Sequence, residues 1–367
     1  MRVLVAPQEF KESLTAEEAA AAIARGIAAA RPDWTIEELP LSDGGPGFLA
    51  ALARATGGQE RVVATHNALG RARTAHVLDI AETGTCAVEA AMANGLALID
   101  RQGRDALRAS TEGVGELVGA ALQGGPRRVV VGVGGSATSD GGSGMARALG
   151  ARFRDGAGRD LAPGAAPLAE LARIDWSPPE PLAGVEVLVA TDVTNPLVGP
   201  QGAAAVFGPQ KGASPDDVEV IEAALQRYAA VVERSLGVAI AEVPGAGAAG
   251  GLGGGLVAFL GGRIMSGFDV VAEAVGLEER LRRADIVVTG EGSYDGQSEQ
   301  GKTVGRLRQL SSEADTRCVV LAGRAAAVAA GEVLTLAEVE PDTEASMRNA
   351  AALVEELAAR WARSAAV

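Results

Sequence analysis

Apolar runs alternate with amphipathic helical segments at both ends of the chain, which is the rhythm of α/β proteins. Residues 2–6 and 34–39 read as strands, and the pattern predicts helices that begin near Thr15 and over residues 47–55. Thr15 and Glu18 have the spacing of a capping box, which fixes the start of the first helix. The same rhythm returns after residue 285, where the pattern predicts strands over 286–289, 318–322 and 333–337 and helices from Thr303 and Thr343.

The middle of the chain has a different pattern. Polar and apolar residues alternate over 61–63 and 73–80, as in two antiparallel strands joined by a turn at Gly70. Further on, the pattern predicts a strand over 185–190, helices over 112–122 and 215–236, and an apolar segment over 256–260. These elements predict an α/β fold with two α/β domains: a Rossmann-like, doubly wound and discontinuous domain of residues 1–64 and 281–367, and an inserted domain of residues 65–280, with ligand bound in the cleft between them.

A glycine-rich loop after an apolar strand is the most informative local feature. The strand ends at Val133, and the loop contains Gly134, Gly135, Ser136, Thr138 and Asp140 before helix-forming residues resume. Glycines let backbone N–H groups approach anionic oxygens, and a helix start adds partial positive charge. Loops containing Asp43, Asp192 and Asp295 also follow strand-like runs, so the sequence predicts one composite site for phosphate and a metal ion.

Composition narrows the classes of partner. Hydrophobic residues make up 47% of the chain but aromatic residues only 3%, so the cores must rest on aliphatic side chains. A net charge of −14 disfavours binding to nucleic acids or anionic membranes. No apolar run is as long as a membrane span and the first residues do not form a signal peptide, so the expected compartment is the cytoplasm.

Histidine and cysteine are scarce. His66 and His76 fall in the predicted hairpin, away from the glycine-rich loops, which disfavours a Ser-His-Asp hydrolase or a histidine-ligated zinc enzyme. Cys86 and Cys318 lie in strand-like contexts and are expected to be buried, inert thiols. Chemistry that uses carboxylates, lysine, N–H groups and Mg²⁺ remains, and phosphoryl transfer is of this kind.

Residues 296–303 satisfy the spacing of a P-loop, including Lys302 and Thr303. The predicted strand ends near Thr289, several residues earlier, whereas a P-loop leaves its strand directly, and Glu299 would lie among phosphates. The pattern therefore does not predict a Walker fold, although Lys302 at a helix start could contact a phosphate.

The remaining candidates have two interpretations each. Lys11 follows the first strand and could neutralise phosphate oxygens, or it could be a solvated surface lysine. Asp43, Asp140, Asp192 and Asp295 could cap local turns, or they could hold Mg²⁺ or orient a substrate hydroxyl. Asp192 follows a strongly apolar strand and so lies where open α/β sheets bind ligands.

Several segments, taken in order, resemble the type I glycerate kinase family over nearly the whole chain. They include Asp192, Asp295, Gln297, Gly301 and Lys302 and the strings FKESL (10–14), DGG (43–45), GVGGSAT (132–138), DGG (140–142), NPL (195–197), FGPQKGA (207–213), PGAGAAGGLG (244–253) and GEG (290–292). The resemblance implies two α/β domains with the active site between them, and phosphorylation of D-glycerate by ATP and Mg²⁺, most often at the 2-hydroxyl.

The resemblance also implies residue roles. Lys11, Asp192 and Asp295 would be catalytic, and the two aspartates would also bind the metal ion, with the division of work between them left open. Substrate and phosphate would be bound by a larger set: Asp43, Gly134, Gly135, Ser136, Thr138, Asp140, Lys211, Gly290, Gly292 and Lys302. No nucleic acid or membrane partner is expected, and the chain would be a monomer or a homodimer.

The chain departs from the family pattern at positions near the expected site. The departures are Gln8 and Glu9 in place of Asp and Ser, Pro46 and Phe48 in place of Glu and Thr, Val114 in place of Thr, Ser139 in place of Asn, and Ser293 in place of Arg. They leave open a kinase of the same fold for another small hydroxy or sugar acid, and a non-catalytic protein that binds a sugar acid or nucleotide. A sugar-phosphate isomerase with Glu89 or Glu291 as its base also stays open.

Overall fold

The computed structural model describes residues 1–10, 13–294, 303–325 and 332–365. Its strands are β1 (Arg2–Val5), β2 (Thr35–Glu38), β3 (Gln59–His66), β4 (Ala72–Ile80), β5 (Thr85–Glu89), β6 (Arg128–Gly132), β7 (Arg152–Arg154), β8 (Arg173–Asp175), β9 (Glu186–Ala190), β10 (Arg263–Met265), β11 (Ile286–Tyr294), β12 (Arg317–Ala325) and β13 (Glu332–Thr335). Its α-helices are α1 (Ala16–Ala30), α2 (Phe48–Thr56), α3 (Ala91–Asn94), α4 (Glu112–Gln123), α5 (Ser143–Ala148), α6 (Ala203–Phe207), α7 (Pro215–Leu236), α8 (Ala248–Leu260), α9 (Gly267–Ala274), α10 (Leu277–Arg283), α11 (Thr303–Glu313), α12 (Thr343–Arg348) and α13 (Ala350–Ser364).

The chain divides into two compact units. Unit 1 contains residues 1–43, 50–55 and 268–367, and unit 2 contains residues 44–49 and 56–267. The predicted limit at residue 64 falls within β3, which pairs with β4 from end to end. The predicted domain limits, and the predicted cleft, stay predictions. The predicted α/β class is confirmed, because both units combine helices with parallel strands.

Unit 1 is built on a five-stranded parallel sheet in the order β13-β12-β11-β1-β2. When the five strands are numbered by their position along the chain, their order in the sheet is 2-1-3-4-5, one of the two common doubly wound arrangements. Successive strands are added on one side of β1 at first and then, from β11 onwards, on its other side. On one face, α1 and α13 cover the sheet through an apolar cluster that includes Ile23 and Trp361. On the other face, Val304 of α11 packs with Val320 and Tyr294.

The predicted start of α1 is confirmed. The Thr15 side chain accepts a hydrogen bond from the backbone N–H of Glu18, and the Glu18 carboxylate accepts one from the backbone N–H of Thr15. The predicted helix from Thr343 is instead two helices, α12 and α13, because the chain leaves helical geometry at Asn349.

Unit 2 contains a mixed six-stranded sheet in the order β10-β9-β6-β5-β4-β3. The four strands β10, β9, β6 and β5 are parallel, while β4 and β3 form the predicted antiparallel hairpin. Gly70 has the left-handed φ of +76° that the predicted turn requires. The helix α7 has the bounds that the sequence predicted, and the apolar residues 256–260 form the last part of α8.

Candidate functional site

The carboxyl ends of four parallel strands meet at one edge of the sheet in unit 2. Glu89 ends β5, the loop 133–142 follows β6, Thr191 and Asp192 follow β9, and Ser266 follows β10. Open α/β sheets bind ligands at this edge. The fold therefore brings the predicted glycine-rich loop and the predicted Asp192 to one side of unit 2.

Residues 44–49 lie against these strand ends. The Gly134 N–H donates to the Gly44 carbonyl over 3.0 Å. The Glu89 carboxylate, 5% exposed, accepts hydrogen bonds from the N–H groups of Gly47 and Leu49 over 3.3 and 3.1 Å. Glu89 thus anchors the segment that directly follows the predicted Asp43. Asp43 is half-buried and is the last residue of the first segment of unit 1.

The tip of the glycine-rich loop is accessible. Gly135 is exposed and Gly134 half-buried, whereas residues 136–140 are buried. Gly135 has a φ of +72°, which costs glycine little and other residues more. Within the described part of the chain, the N–H groups of Gly135 and Ser136 donate to no protein acceptor, so this turn presents two consecutive amide donors at the strand edge.

Ser136 and Thr138 form a hydrogen-bonded group with Asn94, at the end of α3. The Asn94 amide donates to the Ser136 hydroxyl over 3.0 Å and to the Thr138 hydroxyl over 3.1 Å, and the two hydroxyl oxygens are 2.8 Å apart. The Thr138 N–H also donates to the Ser136 hydroxyl over 3.1 Å. All three side chains are buried, so the group is shielded from bulk water.

Asp140 supports the loop from inside. Its fully buried carboxylate accepts hydrogen bonds from the N–H groups of Thr111, Gly142 and Gly144 and from the Thr111 hydroxyl. Burial raises the pKa of the Asp140 carboxyl, and the hydrogen bonds from Thr111, Gly144 and Gly142 oppose that shift. These contacts tie the starts of α4 and α5 together, and the predicted contact of Asp140 with substrate or phosphate stays a prediction.

Lys211 is buried beneath the same loop. It is 2% exposed, and its Nζ donates to the Thr138 carbonyl over 2.6 Å. Burial lowers the pKa of the Lys211 ammonium from 10.5 to about 7, although the Asp140 carboxylate acts in the opposite direction. In this structure Lys211 braces the loop, and its predicted contact with an anionic ligand stays a prediction.

Asp192 is held in a defined orientation at the end of β9. One of its carboxylate oxygens, Oδ1, accepts hydrogen bonds from the Ser266 hydroxyl over 2.8 Å and from the Gly267 N–H over 2.9 Å. The side chain is half-buried. Serine and a backbone amide from the chain after β10 thus fix a carboxylate at the ligand-binding edge of the sheet.

In unit 1 the structure corrects one strand. The predicted strand 286–289 is the longer β11, which pairs with β12 as far as Tyr294, so Gly290 and Gly292 lie in a strand and not in a loop. A Cβ at Gly290 would lie 2.4 Å from the Leu321 carbonyl oxygen, so close packing alone requires glycine there. Phosphate binding by Gly290 and Gly292 stays a prediction.

Three predicted residues, Lys11, Asp295 and Lys302, lie outside the described residues. Since β11 runs to Tyr294, the P-loop-like string 296–303 begins two residues after a strand. The expectation that several residues separate the strand from this string was wrong.

The other predictions for histidine and cysteine can be compared directly. His66 and His76 lie on the predicted hairpin, where their partly exposed rings contact the carboxylates of Glu116 and Glu60. Cys86 is buried as predicted, and burial raises its thiol pKa to about 12. Cys318 is only half-buried, but its thiol pKa is still raised to about 11, mainly by burial.

Sequence reasoning missed Asn94, Thr111 and Ser266. Asn94 belongs to a four-residue helix with no distinctive pattern, and Ser266 follows a strand of only three residues. The sequence did contain a signal for Glu89, because this residue ends the strand-like run that contains Cys86. Glu89 was predicted, however, only as the base of a sugar-phosphate isomerase. Among the described residues, no helix could span a membrane, and no three acidic, histidine or cysteine side chains cluster as a metal site.

Several known proteins similar to this chain are described as glycerate kinases. The family model for the glycerate kinase family matches residues 3–366. A glycerate kinase of Bacillus subtilis (strain 168) is 43% identical over 326 residues, which are 88% of this chain and 85% of that protein. A glycerate 2-kinase of Escherichia coli (strain K12) is 43% identical over 303 residues, 82% of this chain and 80% of that protein. A crystal structure of a candidate glycerate kinase 2 from Salmonella typhimurium LT2 has a TM-score of 0.81 and 38% identity, and the match covers 99% of this chain and 97% of that one.

Proposed function

Because the chain belongs to the glycerate kinase family, we propose that it transfers the γ-phosphoryl group of ATP to D-glycerate, at the 2-hydroxyl, with the help of Mg²⁺. The observation that carries the proposal is the strand edge of unit 2. The amides of Gly135 and Ser136, which have no acceptor among the described residues, and the oriented carboxylate of Asp192 lie at this edge. Phosphoryl transfer depends on positioning and on neutralising negative charge, which these groups supply.

The turn at Gly135 is proposed to bind phosphate oxygens. Consecutive amide donors around a residue with left-handed φ form a concave anion-binding site. The buried hydrogen bonds of Asp140 and Lys211 support the residues that follow this turn. Preorganised donors do not have to be reoriented as charge develops, and this lowers the barrier.

Asp192 fits a magnesium ion bound together with phosphates. Mg²⁺ usually takes one or two protein carboxylates and completes its shell with phosphate oxygens and water, so a cluster of three acidic residues is not required. The Ser266 hydroxyl and the Gly267 N–H hold one oxygen of Asp192 and thereby fix its orientation. When bound, the ion would neutralise phosphate charge, and Asp192 and Asp295 would share the metal-binding and proton-accepting roles.

The use of lysine supports the proposal. Only three of the 33 basic residues are lysines, and all three, Lys11, Lys211 and Lys302, lie in segments that resemble the family. The sequence therefore uses arginine for its ordinary surface charge and keeps lysine where a compact or titratable amine is useful. Lys11 and Lys302 are proposed to neutralise phosphate oxygens.

The identity of the hydroxy acid depends on the changed positions. Phe48 is fully buried, and a Cβ on Gly132 would lie 2.8 Å from its ring, so this change is in the core. Pro46 is exposed, and its ring would lie 2.9 Å from a Cβ on Gly135, so this change borders the accessible turn. Another small hydroxy acid is the second candidate substrate, and Pro46 is the residue that favours it.

The test is ADP release from purified protein with ATP and Mg²⁺, with and without D-glycerate. Asp192→Asn and Lys11→Ala should each reduce kcat by at least about a hundredfold, as expected when an electrostatic group is removed from a phosphoryl-transfer site. Asp175→Asn is the matched control, since Asp175 is also an aspartate of unit 2 but pairs with Arg173 and Arg154 at the surface. ADP release that does not require D-glycerate, or equal rates for Asp192→Asn and Asp175→Asn, would contradict the proposal. Faster turnover of another hydroxy acid would select the second candidate.

A further inference from the structure

Asn94 bridges two hydroxyl groups that the glycine-rich loop presents. The three contacts in this triangle join Asn94 Nδ2 to Ser136 Oγ, Asn94 Nδ2 to Thr138 Oγ1, and the two hydroxyl oxygens to each other. Each contact needs one proton. If the amide were rotated to place Oδ1 in the triangle, the two hydroxyls would have to supply three protons, which they cannot. The orientation with Nδ2 inward satisfies all three contacts.

The direction of the remaining bonds then follows. Ser136 Oγ accepts from Asn94 Nδ2 and from the Thr138 N–H, which occupies both of its lone pairs. Its own proton must therefore be donated to Thr138 Oγ1. Thr138 Oγ1 accepts from Asn94 and from Ser136, so its own proton points out of the triangle.

Two buried polar groups of Asn94 and Thr138 are left unmatched. Among the described residues the Thr138 hydroxyl proton has no acceptor, and Asn94 Oδ1, in a side chain 1% exposed, has no hydrogen-bond partner. A buried polar atom without a partner is unfavourable, because it has lost its hydrogen bonds to water and gained none in return. The pair thus offers one donor and one acceptor to whatever occupies this position.

The chemistry of the pair selects its ligand. An ionised phosphate oxygen only accepts hydrogen bonds, so it would satisfy Thr138 and leave Asn94 Oδ1 unpaired. An alcohol group accepts with its oxygen and donates with its proton, and so satisfies both. We propose that Asn94 and Thr138 bind a hydroxyl group of the acceptor hydroxy acid. The inference rests on the proposed function for the identity of that acid, and it differs from the sequence-based role of Thr138 as a ligand for anionic oxygens.

Asn94 has a second effect through this geometry. Because its amide donates to both hydroxyls, it forces Thr138 to be the outward donor. Asn94→Asp keeps the shape but removes the inward donors, so both hydroxyls would turn to the new carboxylate. Both side chains are buried, so a ligand group reaches them only when the loop moves, and an internal water molecule is the competing occupant.

The test measures binding without turnover, by calorimetry of D-glycerate, D-lactate and 3-hydroxypropionate. The last two compounds each lack one of the two hydroxyls of glycerate. Thr138→Val should weaken D-glycerate binding by about tenfold or more, whereas Thr138→Ser should bind like the wild type. For the one analogue that lacks the bound hydroxyl, the wild type and Thr138→Val should bind equally. Asn94→Asp should also weaken binding, and Thr138→Val added to it should have little further effect.

Each contrary result has a distinct meaning. Equal affinity of the wild type and Thr138→Val for D-glycerate would assign the position to water and overturn the proposal. An equal loss for all three acids, or a loss confined to ATP, would also overturn it. Retained thermal stabilisation by ATP would confirm that the variants are folded. If the wild type releases ADP with D-glycerate but Thr138→Val changes nothing, only this inference fails. If the wild type neither binds nor phosphorylates D-glycerate, the proposed function fails with it.

Discussion

Lys211 should titrate near neutral pH, far from the ordinary range of lysine. Its side chain is 2% exposed, and burial lowers its pKa from 10.5 to about 7. At about 1.4 kcal/mol per pKa unit, this shift corresponds to about 5 kcal/mol of lost stabilisation of the charged form. The neutral amine still donates to the Thr138 carbonyl, so the brace on the loop does not require the charge.

The sign of the pH dependence follows from linkage. Between pH 7 and 10.5 the unfolded chain holds the Lys211 proton and the folded protein does not, so the free energy of unfolding rises with pH in this window. That stability is lost progressively as the pH falls from 10.5, and the loss is complete below about pH 7. Lys211→Met should therefore flatten the dependence of unfolding on pH relative to the wild type.

The small number of lysines makes the pKa directly measurable. Protein labelled with ¹³C at the lysine Cε should give three side-chain signals, one each for Lys11, Lys211 and Lys302. The signal missing from Lys211→Met should titrate near pH 7. If that signal titrated above pH 10, the side chain would be solvated and the account of a buried brace beneath the loop would be refuted.

Two further substitutions test the packing that supports the site. Gly250→Ala should destabilise the protein by several kcal/mol, because a Cβ there would lie 1.9 Å from the Thr138 carbonyl oxygen at a φ of +68°. Gly261→Ala is its control, with a similar φ of +65° but open space, and should cost only about 1–2 kcal/mol, so equal midpoints of urea denaturation would contradict this packing. Thr15→Ala and Ser214→Ala each remove a capping box, at α1 and α7, and should each cost about 1 kcal/mol with no change in ADP release. Unchanged melting of both cap variants would show that these caps are not formed.

Local patterns in the sequence predicted the regular elements well. The capping residues of α1 and the bounds of α7 could be predicted because they depend on neighbours within one turn of helix. The extent of β11 could not be predicted from its own residues. It runs through Gly290 and Gly292 because β12, some thirty residues later, offers a pairing partner along its length.

The candidate site was predictable only where a side chain follows a recognisable strand. Asp192 and the glycine-rich loop follow long apolar runs, so their place at the strand edge could be inferred. Asn94 and Ser266 depend on tertiary contacts with residues distant in the chain, which no local pattern encodes. Lys211 could be singled out because it lies in the distinctive segment 207–213, but nothing in that segment predicts that its side chain is buried.

The product itself shows which hydroxyl of D-glycerate has been phosphorylated. Proton-coupled ³¹P NMR of the product from ATP, Mg²⁺ and D-glycerate distinguishes the two hydroxyls, because the 2-carbon carries one hydrogen and the 3-carbon two. The account predicts a phosphomonoester doublet that is absent without D-glycerate and absent in Asp192→Asn. A triplet would contradict transfer to the 2-hydroxyl, and a spectrum with no new phosphomonoester would contradict glycerate phosphorylation itself.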